Sequence, residues 1–283
     1  MGYGTYCTIG DLKGVLGITS TTDDTVMRKM CEAASRSIDR YTNRFFHTLT
    51  ETKYFDGAKT LWVPDLLSVT TLKTDEDGDG TFENTFDGTA LTGDYIKYGG
   101  GIEDSLNVFP KTRLEIDPEG DYGSFANGVR QGVQIVGTWG YGDGISATPY
   151  IVDTTLSAAI TTTTATTCTV TAVTNLSAGN TILIDSEQMY IYSISTLTLT
   201  VERGVNGTTA ATHSITSSNY LYIYQYPADI RQACIDLGVA LYQNRAKKGL
   251  QSERLGDYSY TLDKKMIEDI IRDGCWAYRR MRV

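Results

Sequence analysis

Asp75, Asp77 and Asp79, followed by Gly80, have the residue types and the alternate spacing of the first half of an EF-hand calcium loop. Carboxylates at every second position of a tight loop turn towards one point, where a hard cation takes oxygen ligands. The twelfth position of such a loop would be Phe86, where a bidentate Glu is required, and the flanks read as strand rather than helix. The competing reading is a hairpin, because Asp-Gly pairs between two strands are a strong hairpin signal. The expectation is a hairpin with at most a weak calcium-like site at Asp75, Asp77 and Asp79, and no cofactor.

Other chemistry finds less support. His47 and His213 are the chain's two histidines and fall in different predicted units, so neither a Ser/His/Asp triad nor a histidine metal cluster is readily assembled. Cys7, Cys31, Cys168, Cys234 and Cys275 are odd in number, scattered and without C-x-x-C spacing, so no zinc site or disulfide framework is encoded. Cys31 and Cys234 lie on apolar helical stripes and read as core. Gly99, Gly100 and Gly101 lack the following G-K-[ST] of a phosphate loop. Arg245, Lys247, Lys248 and Arg254 could touch phosphates, but a charged helix end is more often solvated or bonded to a neighbouring subunit. The chain reads as a non-enzyme.

The elements that would position these residues divide by texture. Thr8 with Asp11, and Thr21 with Asp24, have the spacing of helix capping boxes. Apolar residues from Val26 through Met30, Ala34, Ile38 and Tyr41 recur at three and four, predicting a helix that ends at Asn43. Between 50 and 142, β-branched and aromatic runs alternate with Gly, Asp, Asn and Pro, predicting strands at 51–55, 60–63, 68–74, 95–98, 112–116 and 133–139. From 154 to 218 the chain is dominated by Thr, Ser, Ala and small apolar residues, with Arg203 its single basic side chain. Its alternation predicts five short strands at 168–173, 181–184, 188–194, 196–201 and 220–224. Helical periodicity returns from Pro227 to about 245, a polar loop covers 249–260, and a last helix runs from 262 to 280.

The fold class expected is therefore α+β: a bundle of N-terminal and C-terminal helices (8–17, 22–43, 227–246, 262–280) with a β-rich middle (50–142) and an inserted all-β domain. The first domain takes 1–150 plus 226–283, and the insert 151–225. The chain has 283 residues and a formal charge of −9, which argues against a general nucleic-acid coat. Segment 228–283 holds 11 basic and 8 acidic residues, net +3, leaving −12 for the remainder; segment 74–121 holds 13 acidic residues against Lys97, Lys111 and Arg113. Such polarity suits a molecule that meets different partners at its two ends. Nineteen tyrosines against seven phenylalanines favour interfaces over catalysis. No run reaches the length of a membrane helix and no secretory signal opens the chain, so a soluble, cytoplasmically made protein is expected, with the sequons at Asn175 and Asn206 unglycosylated.

The motifs YCTIGDLKGVLGI, DDTVMRKMCEAASRSIDRYTNRFF, LWVPDLLSVTTLKTDEDGDG, GVQIVGTWGYG, PADIRQACIDLGVALYQNRAKKG and SERLGDYSYTL, in this order, resemble the head-to-tail connector (adaptor) proteins of tailed bacteriophages. About 80 residues intervene where that family has a short linker, which agrees with the compositional break. The resemblance implies a virion protein of the neck, without enzymatic activity. It would form a homo-oligomeric ring, a dodecamer, on the portal protein, extend the DNA channel, and receive the stopper or tail terminator. DNA would pass through the lumen without sequence-specific binding, and no membrane is involved. The contact residues implied towards the portal and neighbouring subunits are Lys247, Lys248, Ser252, Glu253, Arg254, Leu255, Asp257, Tyr258, Tyr260, Arg279, Arg280 and Arg282. The polar, glycine-containing character of the SERLGDYSY segment, with Tyr258 and Tyr260, adds the expectation that this segment and the last helix order on docking. The alternative is a capsid- or tail-decorating protein whose β insert binds a host glycan or another virion protein.

Overall fold

A computed structural model describes residues 4–89, 92–99, 108–215, 220–245, 252–255, 258–261 and 266–280, with 252–255, 258–261, 266 and 267 described in backbone only. The chain divides into two compact units, one of Phe45–Pro149 and one of Met1–Arg44 with Tyr150–Val283.

The Phe45–Pro149 unit is an antiparallel sheet of six strands: β1 (Leu49–Phe55), β2 (Thr60–Thr74), β3 (Asn84–Phe86), β4 (Tyr95–Gly99), β5 (Lys111–Ile116) and β6 (Val133–Trp139). They lie in the order β1-β6-β2-β5-β4, with β3 also on β2. In β6 the buried Val133, Ile135, Gly137 and Trp139 alternate with half-exposed neighbours, as a sheet with one covered face requires. The core adds Leu61, Val63, Leu66, Leu72, Leu114 and an aromatic group in which Phe86 stacks on Tyr122 and meets Phe125. β2 is one strand where two were expected. Pro64 cannot donate to a ladder, and pairing with β5 shifts register between Trp62 and Leu66, while the second half of the strand pairs with β6 and β3. At the β2–β6 crossing, Gly137 lets the backbones approach: a Cβ there would stand 2.4 Å from the Ser68 carbonyl oxygen.

The other unit combines helices with a second six-stranded sheet. Helix α1 (Ile9–Leu16) begins with the expected reciprocal capping box between Thr8 and Asp11. Helix α2 (Asp24–Thr42) buries Met27, Cys31, Ala34 and Ile38 and ends at Asn43 in the left-handed conformation. Its expected Thr21 cap is not made: Asp23 is the N-cap, and its carboxylate accepts instead from the Tyr242 hydroxyl and from Arg245. Helix α3 (Ala228–Gln243) buries Ile230, Cys234 and Leu237, and lays Gly238 against Leu12 of α1. Helix α4 (Met266–Cys275), followed by a 3₁₀ turn at Trp276–Tyr278, places Gly274 against Ala233 of α3.

Strands β7 (Tyr150–Thr155), β8 (Thr167–Thr169), β9 (Thr181–Ile184), β10 (Glu187–Ser195), β11 (Thr198–Glu202) and β12 (Tyr220–Tyr224) pair antiparallel in the order β7-β12-β9-β10-β11-β8. The two ends of this sheet meet. Ser157 donates to the Thr169 carbonyl at 2.9 Å and Thr171 to that of Thr155 at 3.0 Å, with Leu156 bridged to Val170. The sheet is thus closed into a small barrel, filled by residues such as Ile182, Ile184, Met189, Ile191, Leu199 and Leu221. The helices pack on it: Ile9 donates to Ala178, and the Arg28 guanidinium donates to the Tyr192 carbonyl while covering the Tyr192 ring at 4.4 Å.

This architecture overturns the expected helical bundle with a β-rich middle and an inserted β domain. Twelve strands in two antiparallel six-stranded sheets carry the fold, and four helices of 8, 19, 16 and 10 residues accompany them. The helical periodicities were real and the helices pack on one another, but the two sheets and not the helices make up most of the regular structure. The span 151–225 contains nearly all of that barrel, whereas the compact division falls at 44/45 and 149/150. Of these twelve strands, β3 and β7 have no counterpart among those expected, and the last helix ends at Cys275 and not at 280. Among the described residues no helix is long and apolar enough to cross a membrane.

Candidate functional site

The aspartate motif forms the connection between β2 and β3, whose register pairs Thr74 with Asn84. Alternate carboxylates turn inward by bonding to backbone amides ahead of them: Asp75 accepts from Gly78 at 2.7 Å and Gly80 at 2.8 Å, Asp77 from Asp79 at 3.1 Å, and Asp79 from Thr81 at 2.7 Å. Desolvation alone would raise the Asp75 pKa, but the Gly80 and Gly78 amides outweigh it and hold the carboxyl below its ordinary range. A fourth carboxylate, Glu83, joins the three, and one oxygen of each lies within 4.8 Å of the others. The sequence reading sought its last ligand at position twelve, where Phe86 lies in the core; position nine of the same spacing would have found Glu83. The four carboxylates have the composition a hard divalent cation takes, while the amide bonds already account for the shape of the loop.

The expected interface residues are less gathered. Lys247, Lys248, Asp257 and Arg282 lie outside the described residues. Ser252, Glu253, Arg254 and Leu255 form strand β13 (Ser252–Leu255), and Tyr258 and Tyr260 belong to β14 (Tyr258–Thr261), antiparallel to it with Glu253 opposite Tyr260 and Arg254 opposite Ser259. A segment expected to be loop is thus a hairpin. The Arg279 guanidinium lies 5.6 Å from the Tyr41 ring, and the Arg280 amide donates to the Thr42 carbonyl at 2.8 Å, which ties the C-terminal stretch to the end of α2.

The sequence reading missed a buried ionic node in the barrel. The turn between β9 and β10 places Glu187 inside, where Arg203 binds it bidentately at 2.6 and 2.7 Å. The amides of Gly204 and Ala211 donate to it at 3.1 and 2.9 Å. His213 meets it through Nε2 at 2.9 Å and reaches Asp185 through Nδ1 at 2.7 Å. Burial opposes ionisation of Glu187, yet Arg203, the Ala211 amide and His213 together hold its pKa below the ordinary value. Both imidazole nitrogens are engaged by carboxylates, so the ring is a clasp and not the base of a triad. The signals available were Arg203 as the single basic residue of a long neutral segment and His213 downstream of it, but nothing local paired either with Glu187.

On the open sheet a second constellation faces solvent. Trp62 of β2 is 70% exposed, Arg113 of β5 lies opposite it in register, and Tyr98 of β4 lies opposite Arg113. The Arg113 guanidinium is 5.7 Å from the Trp62 ring and 4.5 Å from that of Tyr98. Trp, Arg and Tyr are the residue types that dominate protein-interface energetics. No family model matches the chain, and neither does any curated protein.

Proposed function

We propose that this chain is a structural protein of a tailed-phage virion, a head-to-tail adaptor that assembles as a ring under the portal. It extends the DNA channel and presents the docking surface for the stopper or tail. The motifs that resemble the connector family fall on α1, α2, β2 with its acidic loop, β6, α3 and the β13–β14 hairpin, so the reading draws on both compact units. The observation that carries it from the structure is the placement of large apolar side chains in solvent: Phe45, Tyr54, Trp62 and Ile145 in one unit, Ile151, Val152 and Trp276 in the other. An adaptor needs contact surfaces for unlike partners, and the excess of acidic residues in 74–121 and of basic residues in 228–283 gives those surfaces opposite electrostatic character. In this role the acidic loops do not hold DNA phosphates, which keeps a channel wall from binding what passes through it.

The test is cryo-electron microscopy of the assembled neck. A ring of this chain between portal and tail sustains the adaptor reading; density on the capsid shell or a fibre removes it. The second reading, a decorating protein, draws on the barrel having its own closed core and on the exposed Ile151, Val152 and Ile215. Binding of the purified protein to host glycans, with no retention by portal, would favour it.

A further inference from the structure

All five cysteines are free thiols in the structure, and three segments bring Cys7, Cys31 and Cys234 to one place. Cys31 lies on α2 and Cys234 on α3, whereas Cys7 lies in the short stretch before α1. That stretch runs between the barrel and the helices. Gly4 donates its amide to Asn206 at 2.8 Å, the Thr5 hydroxyl lies 3.3 Å from the Gly179 carbonyl, and Tyr6 donates its amide to Ser35 at 3.0 Å. Within it, the Cys7 and Cys234 sulfurs stand 3.0 Å apart, 1% and 0% exposed.

The geometry points to a Cys7–Cys234 disulfide that forms when the protein meets an oxidising small-molecule disulfide, and that staples the N-terminal stretch to α3. A disulfide bond is about 2.0 Å long, so the sulfurs have about 1 Å to close. Cys7 can supply that movement because its backbone belongs to no helix. Cys31 and Cys234 are each fixed in a helix, and Cys234 reaches the Cys31 residue through its carbonyl oxygen at 3.9 Å. The closed loop would join residues 227 apart, the long-loop regime in which a crosslink most constrains the unfolded chain.

The same site keeps the pair reduced until it is opened. Hydrogen bonding with Cys234 and Cys31, and then burial, push the Cys7 thiol well above its ordinary pKa, so little thiolate is present in the closed state. Reaction requires the stretch to lift. Cys7 then loses its proton to solvent and its thiolate attacks one sulfur of the oxidant, RSSR. One RS⁻ leaves and takes up a proton. Cys234 next loses its proton, its thiolate attacks the Cys7 sulfur of the mixed disulfide, and the second RS⁻ leaves and takes up a proton. The two protein thiols lose two electrons, and RSSR is reduced to two RSH.

The experiment uses the full-length protein with oxidised glutathione, followed by alkylation under denaturing conditions, intact mass and peptide mapping. The expected result is two of the five thiols lost, the peptides of Cys7 and Cys234 linked, native circular dichroism kept, and a melting temperature raised by several degrees that dithiothreitol reverses. Cys31→Ala should keep the link and Cys7→Ala abolish it. Five alkylated thiols after exposure in sub-denaturing urea would overturn the proposal, as would a Cys31–Cys234 link, or a link that forms only once the protein has unfolded.

Discussion

The barrel of β7–β12 and the sheet of β1–β6 are both six-stranded and antiparallel, but they dispose of edges and charges in opposite ways. The barrel joins β7 to β8 and encloses Glu187, Arg203 and His213 with their hydrogen bonds satisfied. The open sheet leaves β1 and β4 each paired on one side and places most of its acidic residues in loops, with Glu51, Asp65 and Glu115 on strands. Its outer face carries Trp62, Arg113 and Tyr98. Closure makes a unit whose stability hangs on internal complementarity. Openness makes one whose surface is available to others. Mutations in the barrel's ionic node should therefore act on folding, and mutations on the outer face of the open sheet on association.

The sharpest separation should come from Glu187→Ala. It strands Arg203 and His213 without their shared carboxylate, and breaking a buried ion pair by removing one partner costs about 3–5 kcal/mol. Chemical denaturation should show that loss as earlier unfolding followed by Trp276, the one tryptophan of the barrel-containing unit, with Trp62 and Trp139 reporting on the other. Equal shifts at all three tryptophans would dissolve the distinction between the units. The wild-type node has its own pH signature. Because the folded pKa of Glu187 lies below its ordinary 4.5, its contribution is fully present above that value and lost as the pH falls through the folded one.

Next in size is Gly137→Ala in the open sheet. The added methyl meets the Ser68 carbonyl oxygen at 2.4 Å, where backbone and not a flexible side chain must yield, and overpacking of this kind costs about 1–3 kcal/mol. Here Trp139, two residues along β6, should report the earlier transition while Trp276 holds. A neutral outcome would mean that the open sheet relaxes where the barrel cannot.

Asp39 tests the helices that accompany the barrel, with the opposite pH sign from Glu187. Burial raises its pKa to about 6, against the pull of Arg36, the Tyr6 hydroxyl and Arg40. A carboxyl with a raised folded pKa adds stability that is present below the ordinary 3.8 and lost as the pH rises through about 6. Asp39→Asn should remove that dependence, an effect of up to about 3 kcal/mol between the two limits. Melting temperatures of wild type and variant from pH 4 to pH 7.5 should converge at the acid end; parallel curves would show that Asp39 does not titrate in that range.

What could be read in advance follows from which signals are local. The Thr8–Asp11 box, the stripe of α2, the alternation of β6 and the Asn43 stop are each written within a few residues, and all formed. Three-residue β3 and β7, with Asp153 in its middle, carry too little pattern to stand out from turns. Pro64 reads as a break because its missing donor is visible in sequence and the partner exchange that accommodates it is not. The overall class went wrong for a related reason: alternation marks single strands, but not the pairings of distant strands such as β1 with β6 and β7 with β12 that build the two sheets. The ionic node depends on positions 16 and 26 residues apart being folded together, which takes the pairing of β10 with β11 and the bridge of His213 to Ile160.

Trp62→Ala should have the smallest effect on folding and the clearest one on association. The side chain is 70% exposed on a strand whose core contacts come from Leu61 and Val63, so removing it should change stability by no more than about 0.5 kcal/mol. Its neighbours make it more than an incidental surface residue. Arg113 lies across the strand from it and covers the Tyr98 ring, so the three form one contiguous patch of interface-type side chains. If the open sheet is the contact surface of an adaptor, the variant melts as wild type does and is retained more weakly in reconstituted necks, while a substitution on the barrel's exposed Ile215 leaves retention alone. Weaker retention from Ile215→Ala with Trp62→Ala silent would invert the comparison, making the closed barrel the docking unit and the open sheet the scaffold.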